Sequence, residues 1–563
     1  GHTRLSIQDL SSAGRQPMLS KSSRYIVVFN GEIYNFYEIK QQLQALGSVF
    51  ETTSDTEVLL KAYQIWGDSV VSRLNGMFSF VIYDHKRQRF FGARDRFGKK
   101  PFYYRLDGED FSFSSNLYAL VKNGDQESEE ALKRYFWFGY IPGEWSIING
   151  INKLLPAHAF EFDLQTRKMK TWCYWELSAT SQTTTYSEYI EQLDALLLDA
   201  VKIRMVADVP LGVFLSGGID SSLVTQYANQ LGGEIKTFSI GFNESQFDES
   251  FYAEQVANKL GTVHKTISCS SSELYQLIGS YSHFFDEPFA DASAIPTLLL
   301  AQKTKDYVTV ALSGDGGDEI FYGYTRYKWF YWIEKAFSMP RSARKVMLSF
   351  LQRAYPERGH QWRYLLSSLN KEEAYLRFMG SVHGLMEMPP GLMSDDQTNG
   401  LNASGNFTLR MANWDVMHYM PNDILTKVDR ATMAFSLEAR SPLLDYRLAE
   451  LTRSQPVHFN FSPFDSKKAL KQLLSNNFNN EFLNRKKQGF TLPLKAWLRN
   501  EMREEVNYWV YESGLIEQLS FYDVGSYRKR VEAYLAGQTN FYPEIWKLMV
   551  YGRWRQHFNE IVS

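Results

Sequence analysis

From residue 1 to about 175, apolar positions come in short runs broken by turn residues. Residues 24–30 (RYIVVFN) form one run, ending in Asn30-Gly31. Residues 77–83 (MFSFVIY) and 89–93 flank a polar turn, and residues 102–105 and 111–114 flank Asp107-Gly108, a pair suited to a tight hairpin. Residues 40–46 and 56–66 have helical apolar spacing. Locally pairing strands with a few helices predict a layered α+β domain.

The rhythm changes after residues 178–185 (SATSQTTT), a polar stretch without apolar periodicity that marks a boundary between domains at 1–177 and 186–563. Beyond it, short strands at 213–215, 236–240, 263–267 and 308–312 alternate with helices, among them 220–231 and Ser250–Leu260. That alternation predicts a parallel sheet with helices on both faces. From about residue 325 the chain reads as helical.

Apolar residues make up 44% of the chain and charged residues 22%, which excludes a mostly disordered protein. Lys plus Arg number 61 and Asp plus Glu 63, giving a net charge of −2, so neither nucleic acid nor a membrane surface is expected as the main partner. No apolar run approaches the roughly 20 residues of a membrane helix. Two cysteines, Cys173 and Cys269, exclude a disulfide scaffold and suit a reducing, cytoplasmic compartment; both are expected to be buried thiols.

The chemistry concentrates in two loops. Residues 212–224 (GVFLSGGIDSSLV) run an apolar strand into Ser216-Gly217-Gly218 and then into a helix starting near Asp220. Glycines let the backbone approach a ligand closely, amides at the helix start point at an anion, and Ser221 and Ser222 add donors. The spacing is not that of a Walker loop, and residues 92–100 (GARDRFGKK) fail that pattern too. SGGxDS resembles the signature of ATP pyrophosphatases, which cleave ATP between the α and β phosphates. Residues 308–319 (VTVALSGDGGDE) supply a second strand, glycine turn and acid cluster, as the other half of such a site requires.

With residues 30–35 (NGEIYN), these motifs resemble the glutamine-dependent asparagine synthetase family. The resemblance spans nearly the whole chain, including residues 1–8 (GHTRLSIQ), 53–57 (TSDTE), 94–101 (RDRFGKKP), 286–296 (DEPFADASAIP), 423–445 (DILTKVDRATMAFSLEARSPLLD) and 485–490 (RKKQGF). It implies an α+β glutaminase domain of the N-terminal-nucleophile type with packed antiparallel sheets, followed by an α/β parallel-sheet ATP-pyrophosphatase domain with a helical C-terminal part. It also implies a ligase using ATP, Mg²⁺, glutamine and an acceptor carboxylate, forming an acyl-adenylate, AMP and pyrophosphate. L-Aspartate is the expected acceptor, with a sugar uronic acid or a peptide carboxylate as the alternative. A homodimer is compatible with this.

Residue by residue, the resemblance gives Arg4 to the glutamine α-carboxylate, Glu32 and Asp55 to its amino group, and the Asn30 side chain and Gly31 amide to the oxyanion hole. Leu215, Ile240 and the Ser313-Gly314 backbone match positions around adenosine; Ser216, Gly217, Gly218 and Ser221 match those on the phosphates; Asp220 and Asp318 match the Mg²⁺ carboxylates. Lys487, with Lys486 as the register alternative, matches a lysine near the α-phosphate. Asp315, where many relatives carry Glu, is the expected proton acceptor from attacking ammonia. The family's nucleophile is a cysteine at the mature N-terminus, whereas residue 1 here is Gly. The chain is therefore expected to begin some tens of residues inside the domain. A protein physically starting at Gly1 is expected to use free ammonia but not glutamine. The persistence of Arg4, Asn30, Gly31 and Asp55 argues against a ring-closing relative, and two intact acid-bearing loops argue against a nucleotide sensor.

Overall fold

The computed structural model describes residues 1–177, 184–242, 250–354, 362–380, 385–389, 391–392, 400–401, 405–485 and 492–562. The first half contains β1 (Met18–Leu19), β2 (Tyr25–Ile33), β3 (Gly76–Asp84), β4 (Arg89–Arg94), β5 (Tyr103–Asp107), β6 (Asp110–Ser114), β7 (Ile151–Lys153), β8 (His158–Asp163) and β9 (Lys168–Cys173). They build two antiparallel sheets, ordered β1-β2-β3-β4-β8-β9 and β6-β5-β7. The sheets pack face to face through Val81, Phe102, Leu154, Phe160 and Phe162, with the Phe102 and Phe113 rings stacked at 5.9 Å. Helices Phe36–Ala45 and Asp55–Trp66 cover the other face of the larger sheet, burying Ile39, Leu43 and Leu59 against Val27, Phe29 and Phe80. Nearly all of β3 is buried because both its faces are covered.

Two expectations need correction here. The apolar run was expected to end at Asn30-Gly31, but β2 continues to Ile33, with Gly31 opposite Phe78. Gly31 sits at φ 140°, and a Cβ there would meet the Met77 carbonyl oxygen at 2.0 Å, so the strand passes this point only as glycine. Cys173 is exposed: it lies on edge strand β9, where alternation turns Trp172 to the packed side and Cys173 outward. Cys269 is buried.

The second half contains β10 (Leu211–Phe214), β11 (Lys236–Phe242), β12 (Val263–Cys269), β13 (Val310–Leu312) and β14 (Glu438–Arg440). All pair in parallel, in the order β12-β11-β10-β13-β14. The chain leaves β10 to one side for β11 and returns to its other side as β13, which makes the β10/β13 boundary a topological switch point, where open α/β sheets bind ligands. The fold class expected from the sequence is the one observed. The reading of the region beyond residue 325 as helical missed β14, which has three residues and forms by pairing with β13 rather than from local propensity.

The halves share buried surface. Tyr135, Phe136 and Trp137 of helix Glu129–Phe138 pack in one cluster with Ile545, Leu548 and Met549 of helix Tyr542–Val562. Elsewhere Asp445, fully buried, accepts from Arg204 at 2.9 Å and from Asn75 at 2.8 Å, tying the loop before β3 to the second half. Burial opposes ionisation of Asp445, but Arg204 and Arg447 outweigh it and hold its carboxyl well below the usual range. Its contribution to stability is present above the ordinary carboxylate range and is lost as pH falls. Replacing Arg204 with Ala leaves a buried charge short of its main partner and is expected to destabilise the protein by about 3–5 kcal/mol. Arg447→Ala, at a side chain 33% exposed, is expected to have a smaller effect. Thermal melts of both variants against wild type test the ranking.

Candidate functional site

β10 ends in the turn Ser216-Gly217-Gly218, which opens helix Ile219–Gln230. The Ser216 amide donates to Ser221 Oγ at 3.2 Å, and the Ser216 and Ser221 hydroxyls lie 3.1 Å apart, which ties the turn to the first helical residues. Gly217 has φ 69°, and a Cβ would meet the Tyr252 backbone at 2.6 Å. Its carbonyl accepts from Arg485 at 2.6 Å. Gly314, in the loop after β13, packs so closely that a Cβ would lie 2.8 Å from the Ser221 amide nitrogen. The two loops anticipated from sequence therefore meet at the switch point.

Between them lie Asp220 and Asp318. Lys467 Nζ stands 2.5 Å from an oxygen of each. Asp220 Oδ1 is buried without a hydrogen-bond partner. Lys467 is a non-glycine residue at φ 54°, a conformation costing about 1–3 kcal/mol that its surroundings must impose. A Cβ on Gly323 would lie 2.0 Å from both Asp318 Oδ1 and Lys467 Cε, so glycine there gives the pair its room. Two carboxylates converging on one cation fit a hard divalent ion such as Mg²⁺, which takes few protein carboxylates and completes its shell with phosphate oxygens and water.

A cavity of about 690 Å³ opens beside this point, within the range of small-molecule sites. Leu215, Ser216, Gly218, Asp220, Ser221, Ser313, Gly314, Asp315 and Asp318 line it. Ile240, 3% exposed, is in the core instead, and its neighbours Phe238 and Ser239 reach the wall. Lys486 and Lys487 lie outside the described residues. Sequence reasoning missed Lys467, which sits in a polar run ahead of an apolar helix. It also missed the part Asp291, Asp423 and Lys427 play in the wall.

In the first half, Asn30, Gly31 and Glu32 follow one another on β2, and Asp55 begins helix Asp55–Trp66 with Oδ2 accepting the Ile33 amide at 3.0 Å. Arg4 lies on a separate loop, where it donates to the carbonyls of Gln8 and Asp9, both at 2.8 Å. That loop is tied to the Asp55 segment by the Thr53 amide donating to Asp9 Oδ2 at 3.0 Å. Glu32 pairs with Arg440 Nη2 at 3.3 Å, and its Oε2 has no hydrogen-bond partner. Burial, then the Asp55 charge, pushes Glu32 well above the ordinary range; burial raises Asp55 to about 6.

Residues 192–557 match the family model for asparagine synthase, and residues 1–175 match the glutamine amidotransferase domain. The chain belongs to the asparagine synthase family. Asparagine synthetase [glutamine-hydrolyzing] 1 of Bacillus subtilis is 32% identical over 575 residues, covering 98% of this chain and 89% of the relative. A putative asparagine synthetase of Methanocaldococcus jannaschii is 39% identical over 368 residues, covering 62% and 70%. The amidase chyE of Penicillium rubens is 27% identical, covering 94% and 86%. Among solved structures, the chain is similar to glutamine phosphoribosylpyrophosphate amidotransferase from B. subtilis at 18% identity, covering 45% of this chain and 48% of that one with a TM-score of 0.21. That likeness is too slight to add to the fold described above. Membership of the family makes the chain an enzyme, a ligase of the asparagine-synthetase type whose chemistry is glutamine-dependent amidation with ATP. Among the described residues, no helix is long and apolar enough to cross a membrane.

If Asp55 receives the ammonium of glutamine, as the family resemblance implies, only its ionised form attracts that group, and with the carboxyl raised to about 6 the affinity then increases as pH rises through that value. Calorimetric titration with glutamine between pH 5 and 8 is expected to show tightening across that step in wild type. In Asp55→Asn the step is expected to disappear, and a step of the same size there would clear Asp55 of the role.

Proposed function

We propose that the protein joins ammonia to a carboxylate through an acyl-adenylate, with L-aspartate as acceptor and L-asparagine as product. The observation that carries this reading is the meeting of Asp220 and Asp318 across Lys467 at the switch point, beside glycine turns that leave room for phosphates. The full-length relatives named asparagine synthetases support aspartate. An exposed and a buried free cysteine, with no disulfide among the described residues, fit a cytoplasmic enzyme.

In this reading the Ser216–Ser221 turn holds the phosphates, Leu215 and the Ser313-Gly314 backbone hold the nucleoside, and Asp220 and Asp318 would hold Mg²⁺. When bound, the ion would neutralise charge on the phosphate oxygens. An acceptor carboxylate oxygen attacks the α-phosphorus, the bond from that phosphorus to the bridging oxygen breaks, and pyrophosphate leaves with the electron pair. Ammonia then attacks the acyl carbon, the acyl–oxygen bond breaks, and AMP leaves. The nitrogen gives up its proton to Asp315, which lines the same cavity. Lys467 supplies positive charge where negative charge builds on the phosphates. In the first domain, Arg4, Glu32 and Asp55 hold glutamine, and Asn30 with the Gly31 amide stabilises the oxyanion.

A sugar acid is the second reading. It is favoured by the presence of Tyr140, Tyr419, Tyr542 and Trp546 in the cavity wall, since aromatic side chains pack well against a pyranose ring.

Asp220→Asn is expected to lower ammonia-dependent pyrophosphate release by roughly 10²–10³-fold while circular dichroism and melting temperature stay near wild type; Lys467→Met is expected to lower release by a similar factor and also to lower the melting temperature, because it leaves Asp220 and Asp318 without their shared cation. An unchanged rate in a folded Asp220→Asn variant would remove the phosphate-site assignment.

A further inference from the structure

Single exposed apolar side chains are ordinary, but Trp329, Trp332, Met339, Val346 and Phe350 are all exposed within one short stretch of chain. Helix Thr325–Phe337 buries Tyr327, Phe330, Ile333 and Ala336 in a cluster with Tyr375, Phe407 and Met411. Trp332 stands off that face at 57% exposure. Helix Arg341–Ala354 follows after Pro340, and its Arg344 lies over the Phe337 ring at 4.4 Å, which fixes it to the end of the first helix. Met347 and Leu348 pack against the same cluster. Val346 and Phe350, one helical turn apart, lie outside it at 72% and 70% exposure.

The charge around these residues has one sign. Residues 335–354 include five basic residues and no acidic one. Arg344 is used against Phe337, whereas Lys335, Arg341, Lys345 and Arg353 are exposed and have no carboxylate partner among the described residues. The acids beside them are already neutralised: Glu334 by Lys371, and, on the neighbouring helix Lys371–Met379, Glu372 by Arg410 at 2.9 Å and Glu373 by Arg377 at 2.6 Å. The net charge of −2 over the whole chain conceals this local excess.

An apolar centre among unpaired cations fits the headgroup region of an anionic bilayer. Val and Phe side chains enter the acyl boundary, Trp rests at headgroup depth, and Lys and Arg extend their heads to the phosphates. A nucleic acid would satisfy the cations but leave Val346 and Met339 against water. A second copy of this surface would bring like charges together.

We propose that helices Thr325–Phe337 and Arg341–Ala354 form a docking surface for an anionic lipid membrane, on which the protein lies without spanning it. The first of these helices begins directly after Tyr324 of the cavity wall, so the surface and the cavity share a segment. The proposal does not depend on which acceptor the cavity takes.

The test is flotation of the full chain with vesicles of phosphatidylcholine alone and of phosphatidylcholine mixed with phosphatidylglycerol, at low and high salt. Wild type is expected to float with the mixed vesicles, to bind neutral ones at least about tenfold more weakly, and to be released by salt. Arg341→Gln and Lys345→Gln are each expected to weaken binding about fivefold. Phe350→Ser is expected to weaken it roughly tenfold with an unchanged melting temperature, because the side chain is already exposed in the free protein. Val49→Ser, at a comparably exposed site in the first half, is expected to change nothing. Failure of wild type to float with the mixed vesicles would overturn the proposal. Full binding by Phe350→Ser would do the same, reducing the effect to adsorption by charge alone, as would an equal loss in Val49→Ser. A wild-type dimer in analytical sedimentation that Phe350→Ser dissociates would assign the surface to a second copy and overturn the proposal. Binding of duplex DNA with the same dependence on Arg341, Lys345 and Phe350 would overturn it in favour of nucleic acid.

Discussion

Two carboxylates brought close together beyond the ends of neighbouring strands repel each other unless a cation stands between them. Here Asp220 and Asp318 are delivered by two different strand–loop units, and Lys467 Nζ lies 2.5 Å from each. The arrangement requires β10 and β13 to be neighbours, which only a switch in strand order provides. It requires glycine at 314, 317 and 323, because a side chain at any of these would collide with Asp220, Asp318 or Lys467. It also requires a lysine held at φ 54°. Strand order, glycine positions and backbone strain all serve one electrostatic constraint, and the same constraint makes the point suitable for a metal–phosphate ligand.

Glu32 on β2 and the loop after β13 that lines the cavity are joined by a short path of buried polar groups. Glu32, one residue beyond Gly31, pairs with Arg440 on β14 at 3.3 Å. Arg440 also holds Glu438 at 2.7 Å and donates to the Arg204 and Val206 carbonyls. Its own carbonyl accepts the Ser313 amide at 2.8 Å, and the Ser313 and Ser441 hydroxyls lie 3.0 Å apart. Ser313 opens the loop that carries Asp315 and Asp318. Arg440 therefore fixes the register between β2 and the loop after β13. A fully buried guanidinium surrounded by carboxylates and carbonyls tolerates little displacement, because each donor lost leaves an acceptor unsatisfied. The Lys100–Asp429 pair at 2.8 Å crosses the same boundary. Placing the two halves in one chain gives these contacts a fixed geometry that a bimolecular encounter would have to rebuild each time.

Much of this was legible from local sequence. The SGGIDS turn, the GDGGDE loop and the alternation of strand and helix anticipated the two loops that meet at the switch point, because each is a contiguous segment with a local physical reason. Other features were not local. β14 is three residues whose pairing depends on β13. Gly31 reads as a turn residue until β3 is laid against it. Cys173 reads as buried because the pattern does not reveal that β9 is an edge strand. Lys467 stands in FSPFDSKKALKQLL, where it looks like one solvated cation among several, and only the backbone twist at that position turns it inward to 6% exposure.

Acceptor recognition is the extreme case of that limit. Phosphate chemistry needs backbone amides, small residues and paired acids at close spacing, so it leaves a compact signature in the chain. Recognition of an acceptor needs only a few side chains of the right charge at the right distance, and the charged groups of the cavity wall, Asp291, Asp423 and Lys427, come from segments more than a hundred residues apart. Nothing local makes Asp423 unusual. Its place in the wall comes from burial beside Asp291 and from the π-helix Asp415–Ile424 that carries it, both products of the finished fold. Related enzymes can therefore keep the nucleotide loops and change substrate through scattered single residues, so the acceptor is better read from the charge balance of the cavity wall than from the motifs that identify the family.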